Sequence, residues 1–203
     1  MTTSRRPRRL TRAESKARTH KALLGAARDA FSEQGYQGAT VDLIAARAGY
    51  TKGAFYAHFD RKEDLFLELL EETLGRRIDE LNSLLARVGD NPDDLIQALD
   101  RWLGRVDEDD DPGRLGLELQ IESRRNPDFA SAFGPVIVQH QKAIGAILAH
   151  YYKVTGKRPI LPLDKLATVL IGIPVGLALA RQASVGMPAA QTAPVLRRIL
   201  GIS

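Results

Sequence analysis

Twenty residues, TVDLIAARAGYTKGAFYAHF from Thr40 to Phe59, constrain this chain more than any other stretch. Thr40 and Thr51 each precede a short run of apolar residues at helical spacing, and threonine hydroxyls cap helix N-termini. Val41, Ile44, Ala45 and Ala48 form one inward stripe. The first run ends at Ala48-Gly49, and glycine enters the left-handed backbone that a short join between helices requires without a Cβ penalty. Ala45 is small where two crossing helices come closest, and Phe55 stands where the second helix packs back on the first. Together these features describe a helix-turn-helix; the plain alternative is an ordinary helical corner.

The same punctuation recurs along the chain, and strand signals are nearly absent. Thr11-x-x-Glu14 predicts a capping box opening a helix over about 12–34, with Gly35 closing it. Its inward stripe is His20, Leu23, Leu24, Ala27, Ala30 and Phe31. Asp60-x-x-Glu63 resembles a second box for a helix over about 61–87. Asn91-Pro92, Asp111-Pro112 and Asn126-Pro127 each set a capping residue before a proline at the first helical position, opening helices over about 92–106, 112–125 and 127–153. Two more follow, over about 163–184 and 189–201. The expected fold is therefore all-α: an arginine-rich arm over 1–11, a helix-turn-helix domain over 12–60, and a helical ligand-binding and dimerisation bundle over 61–203.

Composition narrows the function. The chain has no cysteine, which excludes disulfides and thiolate metal sites and fits a cytoplasmic protein. No apolar run follows the basic N-terminal residues, so a secretory leader is not expected. LATVLIGIPVGLALA (166–180) carries no charge, but its fifteen residues fall short of the ~20 that span a bilayer, so no membrane partner is expected. The acidic loop DEDDD (107–111) lacks the spacing of a metal cage, and neither metal nor cofactor is expected. The formal charge is +4, unevenly placed: residues 1–60 hold 11 lysines and arginines against 5 acids, and the rest hold 18 against 20. A basic N-terminal third implies an anionic partner for that part. Catalytic motifs are missing: there is no Gly-x-Ser-x-Gly, His-Glu-x-x-His or phosphate-binding loop, so an enzyme is not expected.

The second helix of the motif carries groups suited to double-stranded DNA. The Thr51 hydroxyl lies at a helix start, where backbone N–H groups also suit phosphate. Lys52 adds charge at the groove rim, Gly53 removes bulk, and Tyr56 and Lys62 can reach phosphate oxygens. Tyr50 and Lys52 are the residues whose contact with base edges stays open. His58 is either a packing histidine or a phosphate contact.

Thr40, Ile44-Ala45, Ala48-Gly49, Thr51-x-Gly53, Tyr56-x-His58-Phe59 and Lys62-x-x-Leu65 resemble the signature of the TetR family, as do Ala26 to Phe31 followed by EQGYQGAT. The resemblance is specific over about 15–75 and rests beyond that on helix number and length. It implies a dimeric transcription regulator, commonly a repressor, released from DNA by a small ligand, with Thr40, Thr51, Lys52, Gly53, Tyr56, His58 and Lys62 as the DNA face. The arm with Arg5, Arg6, Arg8, Arg9 and Arg12 is more basic than the motif demands and is expected to enter the adjacent minor groove.

One reading helix contacts few base pairs, so a two-fold homodimer on a palindromic operator is expected. Its contact falls to the last two helices through Ile171, Val175, Leu179, Val195, Leu196 and Ile199, with Gly172 and Gly176 allowing close approach; internal core is the alternative. Effector-pocket candidates are Trp102, Leu117, Gln120, Phe129, Phe133 and His140, and the aliphatic surroundings favour an apolar or amphipathic small molecule. The rival readings are a DNA-binding protein of the same fold without a ligand, whether activator or partner-controlled, and an architectural protein without sequence choice.

Overall fold

The computed structural model describes residues 11–106, 111–182 and 192–202. Among them every regular element is an α-helix: α1 (Arg12–Gly38), α2 (Val41–Arg47), α3 (Lys52–Tyr56), α4 (Lys62–Val88), α5 (Pro92–Val106), α6 (Asp111–Arg125), α7 (Pro127–Thr155), α8 (Leu163–Gln182) and α9 (Thr192–Leu200). The chain divides into two compact units, 1–69 and 70–203, and α4 is one continuous helix with its first residues in one unit and the remainder in the other.

The caps explain the starts. Thr11 Oγ1 accepts from the Glu14 N–H at 3.2 Å while the Glu14 carboxylate accepts from the Thr11 N–H at 2.8 Å, the reciprocal box the sequence predicts. Asn91 and Asn126 each accept from two N–H groups of the turn that follows. The start of α4 differs from expectation by one residue. Asp64, not Glu63, reaches back, and accepts from the Arg61 N–H at 3.0 Å. The ends follow glycine. At Gly35 (φ 69°, ψ 173°) the helical path of α1 breaks, and the last turn continues to Gly38. Gly156 (φ 65°) closes α7 in the left-handed conformation. Pro135 and Pro174 lie within α7 and α8, where each removes one backbone donor.

In the first unit, Leu23, Ala27, Ala30 and Phe31 of α1, Ile44 and Ala45 of α2 and Phe55 of α3 are all at most 3% exposed, Leu65, Phe66 and Leu69 of α4 are fully buried, and the Phe31 ring meets that of Phe66 edge-on at 5.0 Å. Tyr36, 2% exposed, stacks on Phe31 (ring centroids 5.6 Å) and meets the Phe66 ring edge-on at 5.0 Å. In the second unit α8 lies against α6 and α7, and α9 against α5. The core there includes Leu95, Leu99 and Leu103 of α5, Leu148 and Tyr151 of α7, and Leu166 of α8. The buried Tyr151 hydroxyl donates to the Leu200 carbonyl at 3.1 Å, and burial pushes its pKa up to about 12. Arg197 of α9 is paired with Asp100 of α5.

Candidate nucleic-acid interface and bundle cavity

The turn between α2 and α3 is built by a complete helix-closing motif. The Tyr50 N–H donates to the Ala45 carbonyl at 2.9 Å and the Gly49 N–H to the Ala46 carbonyl at 3.0 Å, with Gly49 at φ +77°. Thr40 and Thr51 then cap α2 and α3, each hydroxyl accepting at 3.2 Å from the N–H three residues on. Fixing both helices through Ala45 and the fully buried Phe55 leaves one face of α3 in solvent. Thr51, Lys52, Gly53 and Tyr56 are all exposed there, Tyr56 by 49%. Thr40 is exposed beside them, and Tyr50, His58 and Lys62 are partly buried.

Gly53 is informative because nothing among the described residues requires it. Its φ is not positive, and an added Cβ would meet only Thr51 Oγ1, at 3.8 Å. Gly49 is the opposite case, with open space around it but a backbone that side chains rarely adopt.

The charged groups are held rather than splayed. Lys52 Nζ bonds to Asp42 Oδ2 of α2 at 2.8 Å, and this bond and charge raise the lysine pKa. Arg47 is paired with Glu33 at 2.6 Å. Lys62 Nζ donates to the Tyr36 carbonyl at 2.8 Å and sits 4.1 Å from the Tyr36 ring centroid. This ammonium therefore braces the join after α1. His58 lies 5.6 Å from His20, which stacks on Phe59 and meets Glu68 of α4 at 2.5 Å. Burial, then the positive potential of His20 and Lys16, holds His58 below the ordinary histidine pKa. The roles of His20 and Tyr36 were not legible as more than packing. Arg5, Arg6, Arg8 and Arg9 lie outside the described residues.

The second unit encloses a cavity of about 370 Å³, within the range of small-molecule sites. Of the pocket candidates, Trp102, Gln120, Phe133 and His140 line it; Leu117 and Phe129 are buried elsewhere. Ile171, Gly172, Val175 and Leu196, expected at a dimer contact, also line it. Ile199 packs against the core, Gly176 is exposed, and Leu179 and Val195 are 54% and 41% exposed. Two polar lining residues carried no sequence signal: Arg77 of α4 and Thr168 of α8. Burial, and next the nearby Arg77 charge, lowers the His140 pKa. Among the described residues no helix is long and apolar enough to cross a membrane.

A capped helix pair closed by a left-handed glycine, with an exposed polar face on its second helix, defines a helix-turn-helix, and the other unit is a helical bundle with a cavity. Residues 23–69 match the family model described as bacterial regulatory proteins, tetR family. Over these residues, which hold the helix-turn-helix, the chain is similar to that family. It is 29% identical over 154 residues to the HTH-type transcriptional repressor AcnR of Corynebacterium diphtheriae, covering 73% of each chain. It is 32% identical over 115 residues to the HTH-type transcriptional activator FasR of Mycolicibacterium smegmatis, covering 57% of this chain and 51% of that one. The chain thus spans between about half and three quarters of these relatives' length. The fold is similar to that of the transcriptional regulator FadR from Bacillus subtilis in complex with stearoyl-CoA, with TM-score 0.69, 17% identity, and 89% of this chain and 97% of that chain covered.

Proposed function

We propose that this chain is a homodimeric, sequence-specific DNA-binding regulator of transcription whose operator affinity is set by a small molecule in the bundle cavity. The observation that carries the reading is the exposed face of α3: Thr51, Lys52 and Tyr56 supply phosphate and base-edge donors around a glycine that has no packing role. Thr40 and Lys62 flank that face, and Tyr50 and His58 border it. The arm with Arg5, Arg6, Arg8 and Arg9 adds minor-groove and phosphate charge.

A single short helix reads too few base pairs to find one site in a genome, so the functional form is a two-fold dimer with half-sites ~34–36 Å apart or a multiple of that. Leu179 of α8 and Val195 of α9, both exposed in the single chain, are the apolar groups available to such a contact. Effector coupling runs through α4. Leu74, Arg77 and Ile78 line the cavity on the same continuous helix whose first residues belong to the DNA-binding unit. A ligand that fits one tilt of α4 better than another shifts the equilibrium between binding states. Relatives include a repressor and an activator, and a structural neighbour holds stearoyl-CoA, which supports ligand control by an apolar or amphipathic molecule while leaving both signs of regulation in view.

The test is fluorescence anisotropy of the full chain on palindromes from the DNA flanking its gene, against bulk DNA, with light scattering for mass. A palindrome bound ~10³-fold more tightly than bulk DNA by a dimer is expected. Equal affinity for both would make the protein architectural, and a stable monomer would remove the palindrome argument.

A further inference from the structure

An acidic side chain stands beside the face proposed to meet DNA. Asp42, in the first turn of α2, is exposed, and its Oδ2 lies 2.8 Å from Nζ of Lys52, the first residue of α3. The two side chains are 65% and 53% exposed, so neither serves the core, and an ion pair in solvent contributes little to stability. Against a phosphate the arrangement works poorly. The ammonium would have to share itself with Asp42 or leave it. Either way a carboxylate stays beside the phosphate, where like charges repel. That cost falls on every DNA sequence alike.

In the major groove the same pair is complementary to one base pair. G·C presents two neighbouring acceptors, guanine N7 and O6, next to one donor, the cytosine N4 amino group. An ammonium carries three donors, one of which goes to Asp42, and a carboxylate accepts at more positions than the one Lys52 uses. Guanine O6 and cytosine N4 are bonded to each other across the base pair, about 2.9 Å apart. The 2.8 Å between Nζ and Oδ2 matches that spacing, donor against acceptor and acceptor against donor. An A·T pair fits less well. Its acceptors, adenine N7 and thymine O4, stand on either side of the adenine amino group, so only one of the ammonium's donors is met. A donor left unmet at the groove floor loses its water without return.

We infer that Asp42 and Lys52 act as one reading unit for a G·C pair in each operator half-site, the ammonium on guanine N7 and O6 and the carboxylate on the cytosine amino group. The inference rests on the exposed face of α3 being the surface that meets DNA. It makes Asp42 a specificity-determining residue: its charge weakens binding to DNA at large and its acceptor regains affinity at one base pair. The pair joins two helices whose join is set by the left-handed Gly49 and whose starts are capped by Thr40 and Thr51, so donor and acceptor are already placed before DNA arrives.

Selection of duplexes from a random pool by the full chain, followed by anisotropy on the enriched duplex at fixed salt, tests this. The unaltered chain is expected to enrich a palindrome with a G·C pair at one position of each half-site, and exchanging that pair for A·T should weaken binding about tenfold. Asp42→Ala and Lys52→Met should each lose most of the preference at that position and keep it elsewhere. The double variant should lose no more than either single one, as two residues acting as a unit require. Asp42→Asn keeps an acceptor and drops the charge, so part of the preference should survive while bulk DNA binds several-fold more tightly. Preferences retained at the other positions show that the variants keep the helix-turn-helix. Enrichment of A·T at the position that Lys52→Met alters, single variants that lose preference at different positions, or preferences that neither variant changes would overturn the paired reading while α3 stands as the DNA-reading helix. Enrichment of no sequence by the unaltered chain overturns this inference together with the sequence-specific reading on which it rests.

Discussion

Replacing Gly53 with alanine adds one methyl group where the chain itself has room for it. The new Cβ would lie 3.8 Å from Thr51 Oγ1 and meet nothing else within 4 Å, and the backbone there is not left-handed. Inside the protein the change acts only on helix propensity and on the unfolded chain's entropy. Both favour alanine, by about 0.5 kcal/mol at a first-turn position, the low end of the Gly-to-Ala range. If the exposed face of α3 is pressed against DNA, the same methyl overpacks a close interface. That penalty runs to roughly 1–3 kcal/mol, a fivefold to hundredfold loss of affinity. Stability and binding are thus expected to move in opposite directions. Urea unfolding followed by circular dichroism reads the first, and anisotropy on the operator reads the second. Thr51→Ala is the control: it removes a cap whose hydroxyl accepts from Ala54, so stability falls by about 1 kcal/mol together with affinity. Unchanged operator affinity in Gly53→Ala, or a loss of stability, would refute the claim that this glycine exists for the partner.

Deleting residues 1–10 removes Arg5, Arg6, Arg8 and Arg9, so operator affinity should drop and the slope of log K against log salt should flatten by about 0.9 for each phosphate that the arm no longer neutralises; both are read from anisotropy at several salt concentrations. Gly116→Ala in α6 places a Cβ 2.7 Å from Val175 Cγ2 of α8, so thermal stability is expected to fall by about 1–3 kcal/mol, with partial recovery in the double variant carrying Val175→Ala. His58 is held below its ordinary pKa, first by burial and then by His20 and Lys16, so it binds fewer protons folded than unfolded. Its contribution to stability is full above the ordinary histidine pKa of about 6.5 and is lost as pH falls through the depressed value; His58→Asn should flatten that limb of a pH series of urea midpoints.

The helix-turn-helix was legible because its determinants are local. A capping hydroxyl, a left-handed glycine and a small residue at a crossing act within a few residues, and each reappears at Thr40, Thr51, Gly49 and Ala45. Lys62 shows where that legibility stops. Its spacing offered a free ammonium, but the flexible stem finds the Tyr36 carbonyl 26 residues earlier in the chain, a target no local pattern specifies. Arg77 was invisible for a related reason. A lone arginine on a long amphipathic helix reads as solvated surface, and only the packing of other helices around it turns that position toward a cavity.

The last two helices pose the hardest version of the problem. Between Leu166 and Ala180 α8 carries no charged residue on any side, so periodicity cannot say which stripe faces its own bundle. The structure splits the stripe: Ile171, Gly172 and Val175 meet the cavity, while Val169 and Leu179 stay exposed at 39% and 54%. In α9, Leu196 is buried and Val195, the next residue, is exposed. A helix with apolar groups left over after its own core is satisfied carries a cost in water unless something covers them. If a second copy does, Leu179→Lys introduces an uncompensated charge at the centre of that contact and should convert the dimer to monomer in light scattering, with the bundle's own thermal stability nearly unchanged. A variant that remains dimeric would move the contact off α8 and require a different face to set the half-site spacing.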